Sequence, residues 1–304
     1  MSYLVASFYC FADLPDCAAL REPLLRCCQD HGTRGLVLLA SEGLNGTIVG
    51  GEHGVQAVLA HLRAAHPAFA DLTARQAWSE RTAFHRMRVQ VRSEIVNLGI
   101  PGLSPRRGVG QYLSPAAWND LLRQPDLLLI DTRNDYEVAL GSFEGALDPG
   151  IRRFSDLPGW LERHPALQGT QARTRPVAMF CTGGIRCEKS TALLRQQGFE
   201  QVYHLQGGIL NYLQSVPAAE SHWRGQCFVF DERVSVGPGL LPGPHRLCRA
   251  CRMPLPAGAE QSVHYEPGVS CPRCHDHTSD RQKAAARSRQ RQWERAQTAR
   301  QGGG

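Results

Sequence analysis

Apolar and polar positions switch between two periods along the first hundred residues. Residues 3–10 are β-branched and aromatic on an apolar background and predict a strand. Over 13–30 the leucines recur at helical spacing (Leu20, Leu24, Leu25), and His31-Gly32 supplies a C-cap signal. Pro23 requires the regular helix to begin near Leu20. Strands are predicted over 35–40 and 47–49, with the two-glycine stretch 41–46 read as the turn between them. A second helix over 55–66 and strands over 72–78 and 87–96 complete a βαββαβ order with one additional strand. That order predicts a ferredoxin-like or acylphosphatase-like α+β domain over residues 1–100.

Pro101-Gly102-Leu103-Ser104-Pro105 reads as a linker, and Ser114-Pro115 starts an entry helix that ends near residue 122. From there the pattern changes character. Continuous apolar runs over 127–130 and 177–180 end in polar residues, as central strands of a parallel sheet do when both faces are covered. They alternate with helical stretches starting near residue 136 and over 157–164 and 187–197. A turn over 141–146, a short strand over 202–205 and a last helix after Gly207-Gly208-Ile209 follow. The reading is a doubly wound parallel α/β domain over 123–217.

Composition narrows the class. The chain has 304 residues, 42% hydrophobic and 20% charged, enough for two domains and a small third. No basic leader precedes an apolar segment and no apolar run reaches membrane-spanning length, so a cytoplasmic protein without a membrane partner is expected. Eleven cysteines in that setting argue for metal ligation or thiol chemistry, not a disulfide framework. The net charge of +6 comes from the tail, where seven Lys/Arg and one acid lie between residues 281 and 300. The tail, 281–304, reads as a solvated, disordered run; an auxiliary phosphate contact is the other use of such charge.

The chemistry centres on Cys181-Thr182-Gly183-Gly184-Ile185-Arg186, between an apolar strand and a helix. A thiol in a Gly-rich turn at a helix N-terminus meets unpaired N–H groups and the positive helix end, so it is expected to be a thiolate nucleophile. Arg186 follows at Cys-x4-Arg, where phosphatase loops have Cys-x5-Arg. The smaller ring suits a persulfide and is a poor phosphate cradle. Arg186 is read as charge beside the sulfur, or as a loop fastener paired with Asp131 or Glu137. Cys187 is either a resolving thiol or a core residue, and the core is the reading preferred here. Asp131, Arg133, Glu137 and Cys187 form the supporting set.

Two further clusters stand out. Arg75, Arg81, Arg86, Arg88, Arg92, Arg106 and Arg107 oppose only Glu80 and Glu94, with Trp78, Phe84 and His85 interleaved. This is either a charged sheet edge or an RNA-facing surface, for which Arg86, Arg88, Arg92, Arg106 and Arg107 are the candidates. In the Cys-rich segment 218–280, Cys248-x2-Cys251 and Cys271-x2-Cys274, 19 residues apart, have the spacing of a structural four-cysteine zinc knuckle.

Asp131-Thr132-Arg133, Glu137, the Cys181 loop and Leu205-Gln206-Gly207-Gly208-Ile209 together resemble a rhodanese domain. In that family the loop cysteine carries sulfane sulfur. The stretch 181–190 (Cys-Thr-Gly-Gly-Ile-Arg-Cys-Glu-Lys-Ser), with Glu42-Gly43-Leu44-Asn45-Gly46-Thr47, Glu94-Ile95-Val96 and Gly141 to Ala146, resembles one bacterial family more closely. These are the oxygen-dependent tRNA uridine 5-hydroxylases. The resemblance extends to about Cys274 and implies hydroxylation of the wobble uridine of tRNA to 5-hydroxyuridine, with Cys181 essential and molecular oxygen as co-substrate. No flavin, haem or nucleotide signature is visible. The alternative is a sulfurtransferase passing a persulfide from Cys181 to a small acceptor, a protein or tRNA, with a sulfur-donor protein as partner. The oligomeric state is left open.

Overall fold

The structure, a computed structural model, describes residues 2–80, 84–231, 233–255 and 258–301. The chain divides into two compact units, residues 1–135 with 143–222, and residues 136–142 with 223–304.

The first unit opens with β1 (Tyr3–Phe11), α1 (Arg21–Asp30), β2 (Arg34–Ala40), β3 (Gly43–Gly50), α2 (Glu52–Ala65), β4 (Arg75–Ser79) and β5 (Met87–Val91). The sheet order is β4-β1-β3-β2-β5, antiparallel except for β5 alongside β2. Period two explains which residues of β1 enter the core: Leu4, Ala6 and Phe8 are buried. The apolar stripe of α2, Val55, Val58, Leu59 and Leu62, belongs to the same core. Each such side chain contributes ~1.5–3 kcal/mol on burial.

One glycine stretch behaves differently from its sequence reading. Residues 43–46, expected as a turn, are the first half of β3. Gly43 has φ +140, and a Cβ there would lie 2.0 Å from the Cys10 carbonyl oxygen; one at Gly46 would lie 2.9 Å from the Val37 side chain. These glycines let neighbouring strands approach, so they mark contact and not a turn.

The chain continues with β6 (Gln111–Leu113), α3 (Pro115–Leu121), β7 (Leu128–Asp131), α4 (Asp135–Val138), β8 (Gly141–Phe143), α5 (Leu157–Arg163), β9 (Val177–Phe180), α6 (Ile185–Gln196), β10 (Val202–Leu205) and α7 (Gly208–Ser215), of which β6, β7, β9 and β10 make a second sheet. Ser114 caps α3, its hydroxyl accepting from Ala117 N–H at 3.3 Å. The four strands β6-β10-β9-β7 pair in parallel throughout, with every residue of β7 and β9 buried. β6 was not foreseen, because three residues are too few to show a period. Residues 141–143, expected within a turn, form the short strand β8.

The second unit holds the cysteine-rich segment and α8 (Asp280–Gln301). The basic tail, expected to be disordered, is helical here. Ser279 and Gln282 form a reciprocal cap, with Gln282 N–H on the Ser279 hydroxyl at 3.3 Å and Ser279 N–H on Gln282 Oε1 at 2.9 Å. Arg287 makes two 2.6 Å bonds to the Glu266 carboxylate, and Arg249 stacks 3.5 Å over the Trp293 ring. Ala, Arg and Gln are good helix formers, and these contacts give the helix something to lean on. Residues 302–304 of the tail, and Arg81 of the basic segment, lie outside the described residues.

Candidate active site

Asp131 and Phe180 are register partners at the carboxyl ends of β7 and β9. The next residue after β9 is Cys181, at the strand ends where parallel sheets form their sites. The loop closes on the sulfur itself: Gly184 N–H donates to Cys181 Sγ at 3.1 Å. Gly184, at φ +101, is the N-cap of α6. The Gly207-Gly208 turn packs directly beneath. Ile209 N–H and Leu210 N–H donate to the carbonyls of Cys181 and Thr182 at 3.0 and 3.1 Å. A Cβ on Gly208 would come within 2.4 Å of the Cys181 carbonyl oxygen, so the second glycine is required by close approach.

The Cys181 thiol is fully buried. Burial alone would push it up, but the Cys187 thiol, the Arg186 guanidinium and the N–H groups of Cys187 and Gly184 outweigh that and hold it well below the usual thiol range. Cys187 moves the opposite way, raised by burial and by the neighbouring sulfur charge. The pair therefore shares one proton, with the charge on Cys181. Cys187 lies in the core and also touches the Thr132 hydroxyl at 3.7 Å. Arg186 is buried and donates to the Thr182 hydroxyl at 3.2 Å. Asp131 is held by Arg133 in a fork, with Arg133 Nε and Nη2 at 2.8 and 2.6 Å from its two oxygens, both side chains fully buried. Glu137 is buried and belongs to the second unit.

Tyr9, Tyr112, Glu188 and Lys189, none singled out for chemistry from the sequence, complete the site, with His204 and Arg75 beside them. Tyr9 of β1 donates to Glu188 Oε1 at 2.8 Å, and the Tyr9 hydroxyl lies 3.0 Å from where a Cβ on Gly184 would stand. Tyr112 of β6 bonds the same carboxylate. Its ring is 46% exposed and stacks on His204 at 4.1 Å; burial pushes the His204 imidazole down to about 4, so it is neutral at pH 7. Lys189, 2% exposed, bonds the Glu42 carboxylate at 2.8 Å, the Glu94 carboxylate and the Val96 carbonyl. Arg75 of β4 donates to the Gly207 carbonyl at 2.9 Å. Only the adjacent charged pair Glu188-Lys189, just after the cysteine loop, hinted at this in the sequence.

The basic residues are dispersed. Arg86, Arg88 and Arg92 are exposed along and beside the edge strand β5, and Arg92 also bonds Gln90 at 2.7 Å. Arg106 is paired with Asp13, and its neighbour Arg107 is exposed. Trp78, 55% exposed, lies on β4, at the opposite edge of the sheet, so it does not interleave with the β5 arginines.

In the second unit, the Sγ atoms of Cys248, Cys251, Cys271 and Cys274 lie within 4.8 Å of one another. Cys271 Sγ is 3.8 Å from Cys251 Sγ and 3.7 Å from Cys274 Sγ. The edge of a tetrahedron with ~2.3 Å zinc–sulfur bonds is about 3.8 Å, which both of these separations match, so the four thiols could hold a zinc ion. Among the described residues no helix is long and apolar enough to cross a membrane.

Family comparisons agree with this geometry. Residues 3–95 match the UPF0176 acylphosphatase like domain, and residues 114–215 the rhodanese-like domain. A rhodanese-like domain protein from Staphylococcus aureus of known structure aligns with 34% of this chain and 90% of its own, at 21% identity and a TM-score of 0.28. By the two family matches, over residues 3–95 and 114–215, the chain holds an acylphosphatase-like N-terminal domain and a rhodanese-like domain. It is 56% identical to the tRNA uridine(34) hydroxylase of Albidiferax ferrireducens, over 98% of this chain and 93% of that protein. The corresponding figures for the tRNA uridine(34) hydroxylase of Acaryochloris marina are 52%, 97% and 93%. The chain belongs to the tRNA uridine(34) hydroxylase family.

Proposed function

We propose that this chain converts the wobble uridine of tRNA to 5-hydroxyuridine, with Cys181 as the nucleophile and dioxygen as the oxygen source. The observation that carries the reading is the Cys181 thiol, held as a thiolate by loop amides, Arg186 and Cys187, in a chain of this family. A thiolate can add to C6 of a uracil. The sulfur–carbon bond forms, the C5=C6 pair moves onto C5 and O4 as an enolate, and C5 becomes nucleophilic toward oxygen. Uridine, dioxygen, two electrons and two protons balance against 5-hydroxyuridine and water, so the cycle also consumes a two-electron reductant.

Arg186 and the loop amides stabilise the charged sulfur, and Cys187 keeps its own proton so that Cys181 is the ionised thiol. The Asp131–Arg133 fork fixes the strand end beside the loop. Glu137 has no part in this reading. Arg86, Arg88, Arg92 and Arg107 are the RNA-backbone contacts. Zinc held by Cys248, Cys251, Cys271 and Cys274 is structural, because four protein ligands leave no open position. The cytoplasm, where tRNA is found, is the expected location.

The test is nucleoside mass spectrometry of tRNA from a deletion strain complemented with the parent gene or with Cys181→Ser. The parent restores 5-hydroxyuridine and the variant does not. Restoration by the variant, or recovery of a thiolated uridine by the parent in place of 5-hydroxyuridine, overturns the assignment.

A further inference from the structure

The Cys181 loop supplies a nucleophile, but replacing C5–H by C5–OH also requires the C5 hydrogen to leave. No residue assigned so far takes it. The group placed to do so lies on the first turns of α6. Cys181 and Gly184 are buried, whereas Gly183, Ile185 and Glu188 keep part of their surface open. Glu188, whose N–H donates to the Gly184 carbonyl at 3.3 Å, is thus a partly open residue beside the loop that holds the thiol. Two hydroxyls from separate elements hold it, Tyr9 of β1 at 2.8 Å and Tyr112 of β6. Two donors on one carboxylate fix its rotamer and orient it as an acceptor. Its electrostatic state matches the task. Burial pushes the carboxyl above the usual carboxylate range, the two tyrosine hydroxyls pull it back in part, and the Cys181 charge adds to the upward push. A raised carboxylate is a better base near neutral pH than a solvent-exposed one.

The geometry assigns Glu188 as the proton acceptor of this site, the carboxylate that removes H5 from the uracil bound through C6 to Cys181. The assignment rests on the hydroxylation reading above. In the step, oxygen is already bonded to C5 and C6 to Cys181 Sγ. Glu188 takes H5, the C5–H pair becomes the C5=C6 double bond, and the C6–S bond breaks with its pair returning to Cys181 as thiolate. The proton ends on Glu188, and no oxidant or reductant enters. A uracil whose C6 is bonded to Sγ carries C5 one bond away, and the Tyr9 hydroxyl that holds the Glu188 carboxylate lies 3.0 Å from where a Cβ on Gly184 would stand, the residue whose N–H bonds Sγ. Tyr9 and Tyr112 are positioning residues, acting through the carboxylate they hold.

The experiment uses the full chain in air with a dithiol as the two-electron reductant, and a tRNA transcript carrying either ordinary or 5-deuterated uridine, with 5-hydroxyuridine quantified by mass spectrometry under single turnover. Glu188→Gln keeps the hydrogen bonds' shape and removes the base. A fall of ~100-fold or more in rate is expected, as for loss of a general base. A deuterium isotope effect larger than the parent's is also expected, since C–H cleavage becomes limiting. Glu188→Ala is expected to regain rate with added formate. Iodoacetamide labelling of Cys181 and gel-shift affinity for tRNA serve as integrity readouts and should stay within about twofold of the parent. A Glu188→Gln rate within threefold of the parent overturns the assignment, as does a slow variant with an unchanged isotope effect and no formate rescue, since that pattern marks a structural role. A parent that forms no 5-hydroxyuridine overturns the underlying hydroxylase reading, and the assignment with it.

Discussion

Lys189→Met is the substitution with the clearest energetic consequence. The Lys189 ammonium is buried and bonds Glu42, Glu94 and the Val96 carbonyl. Those side chains are only 16% and 18% exposed. The carboxylates have further duties: Glu42 accepts from Ile95 N–H at 2.7 Å, and Glu94 from Leu98 and Gly99 N–H at 3.0 Å each. Methionine retains the apolar stem and removes the charge, leaving two acids facing each other. Deleting one member of a buried pair costs ~3–5 kcal/mol. A pair at 4 Å with an effective dielectric of 20 gives about 4 kcal/mol, which is consistent. For a unit of roughly two hundred residues, this lowers Tm by ~6–20 °C. The pH dependence adds a second check. Burial would raise the Glu94 carboxyl, but the hydrogen bonds from Lys189 and from Leu98 and Gly99 outweigh it, so the folded value lies below 4.5. A depressed carboxyl contributes stability that is complete above its unfolded value and is lost as pH falls through the folded one. The gap between parent and variant therefore narrows below about pH 4.5. Calorimetry at several pH values measures both. A variant within ~1 kcal/mol of the parent at pH 7, or a gap that does not change on acidification, would refute the reasoning.

Cys187→Ala removes the thiol that donates to Cys181, so the Cys181 pKa rises and iodoacetamide labelling at fixed neutral pH slows; an unmoved pH–rate midpoint would discount Cys187 as the charge-setting neighbour. Full-length protein purified without chelator should carry one zinc per chain by elemental analysis, and Cys271→Ser should lose it together with protease resistance across residues 223–301. Retained zinc in that variant would exclude the four-thiol site. Reversing Arg88 and Arg92 together to Glu should weaken tRNA binding and reduce the salt slope of log K by about two, with no change in Cys181 labelling. An unchanged slope would assign the β5 edge to sheet protection instead.

Local signals carried far in this sequence, and long-range contacts did not. The strand–loop–helix around Cys181 and the paired Cys-x2-Cys turns are short-range chemistry, and spacing alone located them. The glycines at 43 and 46 were misread because a glycine that opens space for a neighbouring strand looks identical, in sequence, to one that makes a turn. Helix α8 was misread because its charge suggests a solvated coil, while its Ser279–Gln282 cap and the anchors on Glu266 and Arg249 show only once partners are in place. Tyr9 and Glu188 are 179 residues apart, and Lys189 and Glu94 are 95 apart. No periodicity connects such pairs.

Those distant contacts separate this site from a bare rhodanese loop. The loop by itself accounts for an activated thiol, which suits persulfide transfer as well as addition to a base. On α6, however, four consecutive residues share three different tasks. Arg186 and Cys187 set the charge on the sulfur, Glu188 takes up the hydroxyls of Tyr9 and Tyr112, and Lys189 grips Glu42 and Glu94. Glu42 and Glu94 lie in the very segments, 42–47 and 94–96, whose sequence resembles the hydroxylases. Their structural use is to hold the N-terminal domain against the helix that carries the cysteine loop, and so to deliver Tyr9 to Glu188. On the Glu188 assignment the acylphosphatase-like domain contributes to the catalytic assembly through Tyr9, and a rhodanese domain cut free of it is expected to keep its reactive thiol while losing the hydroxyl that orients the base.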